Sequence, residues 1–117
     1  MSFAVYCAVL PSGWFVDTGS WSAGGGGRLD IAYKGPGGAR FEIHEGAVCA
    51  AGCTTADTAI GTAPFGDTTG ELCALWSGFL LSVDADRTPS WQAIGRGIDI
   101  AAFKSLCAAL AVVGKGG

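Results

Sequence analysis

Apolar and polar residues alternate most cleanly between positions 28 and 45. Leu29, Ile31 and Tyr33 face one side of an extended chain, and Arg28, Asp30 and Lys34 face the other. After Gly35-Pro36-Gly37-Gly38 the alternation resumes, with Phe41 and Ile43 opposed to Arg40, Glu42 and His44. A period of two marks a half-buried strand, and the Gly/Pro cluster between the two runs predicts a hairpin. Both strands are expected to show a solvated face carrying Glu42, His44 and Glu45.

Elsewhere glycine punctuates the pattern. Pro11-Ser12-Gly13 predicts a turn. Residues 14–21, rich in β-branched and aromatic side chains, predict a strand with a bulge at Gly19. Residues 24–27, all glycine, predict a flexible loop. Residues 46–70 hold Ala, Thr and Gly without a sustained period, and predict a long ordered loop or a broken edge strand ending in turn residues 67–70. Residues 71–76 and 79–84 predict a second hairpin around Ser77-Gly78. A polar connection follows at 86–90, then a short strand at 91–94. From Asp99 the period changes. Phe103, Leu106, Cys107, Leu110 and Val113 share one face of a helix that Asp99 caps and Gly114 ends. The expected fold is α+β: a curved antiparallel β-meander of five or six strands packed against one C-terminal α-helix. It forms a single domain over residues 1–117, either complete or a piece of a longer exported or membrane-anchored protein.

Composition narrows the classes. The chain has 117 residues, 50% hydrophobic and 15% charged, which suits one core-forming domain and excludes disorder as the main state. Its 7 basic and 10 acidic residues leave a net charge of −3. The basic residues are scattered, so no basic stripe tracks a phosphate backbone and nucleic acid is excluded as a partner. The longest apolar runs, residues 3–10 and 106–113, fall well short of the roughly twenty residues a membrane-spanning helix needs. The opening residues lack the positive n-region of a signal peptide, so an exported parent is expected to carry its targeting segment outside this stretch.

The 5 cysteines are Cys7, Cys49, Cys53, Cys73 and Cys107. Cys49 and Cys53, spaced Cys-x-x-x-Cys in a Gly/Ala/Thr loop, are the expected disulfide; free thiols and a redox pair are the competing readings. Cys73 and Cys107 read as buried small hydrophobes. Cys7 pairs with Cys107 only if the first strand meets the last helix. An odd thiol also allows a bridged homodimer. With His44 as the single histidine and no paired CxxC, no metal site and no cofactor are expected. The glycines at 24–27 match no phosphate loop, because a strand rather than a helix follows. No nucleophile elbow accompanies His44.

Two stretches carry a resemblance: "LPSGW" with the following hairpin and "HEGAVC", then "GELCALWSGFLLSVDA" with "GIDIAAFKSLCAALAVV". Their order resembles uncharacterised extracytoplasmic domains of membrane-anchored, anti-sigma-factor-like bacterial proteins. More distantly it is similar to the half-barrel of LolA-type lipoprotein carriers. The resemblance implies an extracytoplasmic, non-catalytic ligand-binding, sensor or scaffold module, a cytoplasmic setting remaining open. The first alternative is a carrier of a hydrophobic small molecule between sheet and helix, with an apolar cavity near Trp76, Phe79, Phe103 and Leu106. The second is a small thiol-dependent enzyme using the loop of Cys49 and Cys53. The aromatic residues Trp14, Trp21, Trp76, Phe79 and Trp91 form either core or a ligand groove. Partners are expected among apolar small molecules, an unidentified protein, or a second copy at an open edge strand.

Overall fold

The computed structural model describes residues 4–22, 27–46, 58–75, 78–84 and 90–115. Cys49, Cys53 and Trp76 lie outside them. Among the described residues nine strands and one α-helix follow in order, with a 3-10 turn at Pro36–Gly38 between the third and fourth strands. They are β1 (Ala4–Cys7), β2 (Phe15–Ser22), β3 (Arg28–Lys34), β4 (Arg40–Gly46), β5 (Thr58–Phe65), β6 (Thr68–Leu75), β7 (Gly78–Val83), β8 (Ser90–Arg96), α1 (Ile100–Ala108) and β9 (Ala111–Lys115).

Seven strands form one antiparallel sheet in the order β2-β3-β4-β8-β7-β6-β5. Two consecutive meanders, β2 to β4 and β5 to β8, therefore meet edge to edge where β4 pairs with β8. The coarse α+β expectation holds, and the detail differs. The expected short strand at 91–94 is a full central strand, because β8 is bonded on both sides and buried between two hairpins. The expected irregular stretch 46–70 contains an edge strand, β5, whose turn falls at Gly66 and Asp67 rather than at 67–70. The register irregularity of β2 lies between Val16 and Thr18, not at Gly19.

The helix is shorter than its apolar spacing predicts. Asp99 caps it as expected, its side chain accepting from the Ala102 N–H at 2.7 Å. It ends at Ala108, and β9 then pairs antiparallel with β1. The β-branched pair Val112-Val113 suits a strand better than a final helical turn, and a partner strand is at hand. The helix is thus not the C-terminal element, and β1–β9 makes a separate two-stranded ribbon.

Cross-strand register puts Tyr33, Phe41, Gly95 and Phe79 in one row and Ile31, Ile43, Ala93, Leu81 and Leu72 in the next. This face is the core. Phe103, Leu106 and Cys107 of α1 and Tyr6 of β1 close over it. Gly95 permits the close approach of helix to sheet, since a Cβ there would collide with the Phe103 ring and with Ile98. The two edges are irregular: β2 has its break near Asp17, and β5 carries Pro64 and a shift between Ala59 and Gly61. Such features blunt edge-to-edge pairing.

Candidate functional site

The helix places its buried stripe on the sheet and turns a second row outward. Ala102 and Ser105 of the helix and its C-cap Ala109 are exposed and sit three to four residues apart, one above the other. The chain leaving β1 passes over this row through Val9 and Pro11 to Trp14. Because the helical residues are small, the gap stays open. A hollow of about 300 Å³ results, lined by Val9, Pro11, Trp14, Ala102, Ser105, Leu106 and Ala109. Among the described residues no charged side chain stands in its wall. Trp14 is half-buried and lies flat on Gly35, where a Cβ would strike its ring. The hairpin loop Gly35–Gly38 therefore fixes the orientation of that wall.

Of the other aromatic candidates, the described ones, Trp21, Trp91 and Phe79, do not join Trp14 there. Trp21 is 48% exposed on the edge strand β2, its ring over Gly27. Trp91 packs edge-on to Tyr6 with ring centroids 6.3 Å apart, on the core side of β8. Phe79 stacks on Phe103 at 5.8 Å and also borders a broad, shallow hollow of about 580 Å³ beside Ala74, Leu75, Gly78 and Asp99. Phe103 is fully buried and Leu106 nearly so, so stacked rings fill the space between sheet and helix at that point. The small residues of α1 were the feature missed from sequence. Their signal was the row Ala102, Ser105 and Ala109 beside the apolar stripe.

The outward face of β3 and β4 holds a polar network. His44 lies between two carboxylates, with Nδ1 2.6 Å from Asp30 Oδ1 and Nε2 3.3 Å from Glu42 Oε1. Arg28 donates to Asp30, Arg40 donates to Glu42 at 2.8 Å, and Arg96 stands 3.6 Å from Glu42. Partial burial would raise the pKa of Glu42, but Arg40, His44 and Arg96 outweigh it and hold the carboxyl below its ordinary value. The hollow between these side chains is small, about 170 Å³, with Thr18, Ser20 and Ala32 at its floor and rim. Each charge already has a partner of opposite sign, so this network reads as a self-neutralising surface. Among the described residues no group of three or more His, Cys, Asp or Glu is placed to hold a metal ion.

Glu45 departs from the expected solvated face. It shares the parity of Phe41 and Ile43 and is fully buried. One carboxylate oxygen accepts from the Tyr6 N–H at 2.6 Å, and the other has no partner. Burial pushes its pKa up to about 7, only partly offset by the Tyr6 hydrogen bond. Among the thiols, Cys7 and Cys107 are free. Burial raises both, Cys107 to about 12. Cys73 is disulfide-bonded, not the free buried thiol its surroundings predict. The expected Cys49–Cys53 pairing falls outside the described residues, and Cys7 and Cys107 do not pair.

No family model matches the chain, and comparison with curated proteins and with solved structures returns no match. No helix among the described residues is long and apolar enough to cross a membrane.

Proposed function

We propose that the chain is a non-catalytic binding module of a bacterial envelope protein, taking a small apolar molecule in the hollow between segment 9–14 and α1. The observation that carries this reading is the hollow itself, about 300 Å³ with an apolar wall anchored by Trp14. Ligand pockets run from roughly 300 to 1,000 Å³, so the occupant is of the size of a single aromatic ring system or a short acyl segment. A lipid-sized cargo of the LolA type needs more room. The envelope setting is supported by the resemblance to extracytoplasmic domains, and a disulfide at Cys73 is the kind of bond that persists in oxidising compartments. The described free thiols lend nothing to a thiol-dependent enzyme, because burial disfavours both thiolates.

The test uses the dye 1-anilinonaphthalene-8-sulfonate on the folded protein. Binding should be saturable at one site. Ser105→Glu changes an exposed helix position in the wall and brings a negative charge into the apolar space, where it also repels the sulfonate of the dye. It should weaken the dye by about tenfold or more, with the circular dichroism spectrum and melting temperature unchanged. Absence of saturable binding, or binding equal in the variant, removes the proposal.

A further inference from the structure

Among the described residues the ribbon β1–β9 is held to the seven-stranded sheet by few polar ties, and Tyr6 makes two of them. At the irregularity between Val5 and Tyr6 the Tyr6 N–H donates to Glu45 Oε1 at 2.6 Å. The Tyr6 hydroxyl donates to Asp67 Oδ1 at 2.6 Å, in the β5–β6 turn. The third tie is the Ala8 N–H donating to the Tyr33 hydroxyl at 3.2 Å. Glu45 stands beneath this ribbon at 0% exposure with its second oxygen unpartnered. A carboxylate so placed has one hydrogen bond and no counter-ion, and ionised groups in such settings are unstable unless paired. Undocking the ribbon is the simplest way to bring water to it.

We propose that the β1–β9 ribbon is a proton-controlled flap, seated on the sheet while Glu45 is neutral and loosened when Glu45 ionises. The groups acting at this interface agree with that sense. From β1 come the Tyr6 phenol and the Cys7 thiol, and from β3 the Tyr33 phenol, all of them held in their neutral forms chiefly by burial. From β8 Glu45 faces Trp91 in register. Among the described residues the one further charge is Asp67, an acid, bonded to Tyr6. No basic side chain is described against Glu45 from β9 or α1. Among the described residues only the Tyr6 N–H favours its ionised form, and the negative charge of Asp67 opposes it.

The sign follows from linkage. Glu45 takes its proton more strongly in the seated state, where burial lifts its pKa to about 7, than in a released state exposed to water. Seating is therefore strongest below the ordinary carboxylate range and is lost as pH rises through about 7. With an ordinary value near 4.3 when released, the seating constant falls by about tenfold between pH 6 and pH 8. Since β1 runs straight into the Val9 and Pro11 wall of the apolar hollow, release also opens that hollow. This consequence rests on the ligand reading, but the release itself does not.

Hydrogen exchange of the full chain between pH 6 and pH 8, corrected for intrinsic exchange chemistry, tests the flap. Protection at the Tyr6 and Cys7 amides should fall about tenfold in the native protein and stay level in Glu45→Gln, whose amide cannot ionise. A flat native profile, or the same fall in the variant, overturns the proposal. Should Glu45→Gln fail to fold, a carbon-13 titration of the native Glu45 carboxyl beside the exchange profile decides: a midpoint near 7 that coincides with the loss of protection at Tyr6 and Cys7 upholds the flap, and a midpoint in the ordinary carboxylate range, or one near 7 with level protection, sinks it. Loss of dye binding with the proton response intact would remove the ligand reading alone.

Discussion

A single change of parity separates Glu45 from its neighbours. Glu42 and His44 lie outward among arginines, whereas Glu45 points inward with Phe41 and Ile43. The same local detail governs Gly66. Its φ of +58° is one that side chains rarely adopt, and a Cβ would come within 2.7 Å of both the Leu110 carbonyl oxygen and the Tyr6 ring. Gly66→Ala should cost roughly 2–4 kcal/mol in urea unfolding, with strain and collision acting together. Gly37 shares the positive φ but meets nothing within 4 Å, so Gly37→Ala should cost only about 1 kcal/mol. Equal losses in the two variants would mean that Gly66 is not pinned between ribbon and helix. The cysteines separate just as sharply. Iodoacetamide should label Cys7 in the native state, Cys107 only on unfolding, and Cys73 only after reduction. Labelling of Cys73 without reductant would contradict its bridge.

At the scale of elements, α1 has a strong start and an early stop. Asp99 satisfies the Ala102 N–H, and Asp99→Ala should lower stability by about 1 kcal/mol. The expected signature is a lower urea midpoint with an unchanged slope; a midpoint within error of the native one would show the cap to be idle. The stop at Ala108 matters for the ribbon. Had the helix run to Val113, β1 would have had no partner strand, and its backbone donors would have lacked acceptors. The ribbon's own hold on the sheet depends on Tyr6. Removing its hydroxyl in Tyr6→Phe breaks the bond to Asp67 and leaves the bond to Glu45. Exchange at residues 4–7 should then quicken at every pH while keeping the same dependence on pH.

For the whole molecule Glu42 and Glu45 set opposing limits. Glu45 is raised by burial, so its contribution is complete below the ordinary carboxylate range and disappears as pH rises through about 7. Glu42 is lowered by Arg40, His44 and Arg96 against the effect of its own burial, so its contribution is present above the ordinary range and disappears in acid. Stability to urea should therefore peak on the mildly acidic side of neutrality and fall by on the order of 1 kcal/mol from pH 6 to pH 8. A stability that rises over that interval would show that Glu45 is not buried as described.

Much of this architecture was legible in the chain. The hairpin β3–β4 declares itself because one face is wet and the other dry, and a period of two records that difference in the residues themselves. The Asp99 cap is local chemistry and was equally readable. The place of β8 at the centre of the sheet was not, because pairing of β4 with β8 joins segments far apart in sequence and leaves no periodic mark. Two features of the proposed site were hidden for the same reason. The hollow exists because small residues of α1 lie beneath a loop from the other end of the chain. The unpartnered oxygen of Glu45 is buried because the ribbon closes over it. Local order follows from each residue's own preference for water or core, whereas burial of a given atom depends on which distant segment packs against it, and only the tertiary structure decides that.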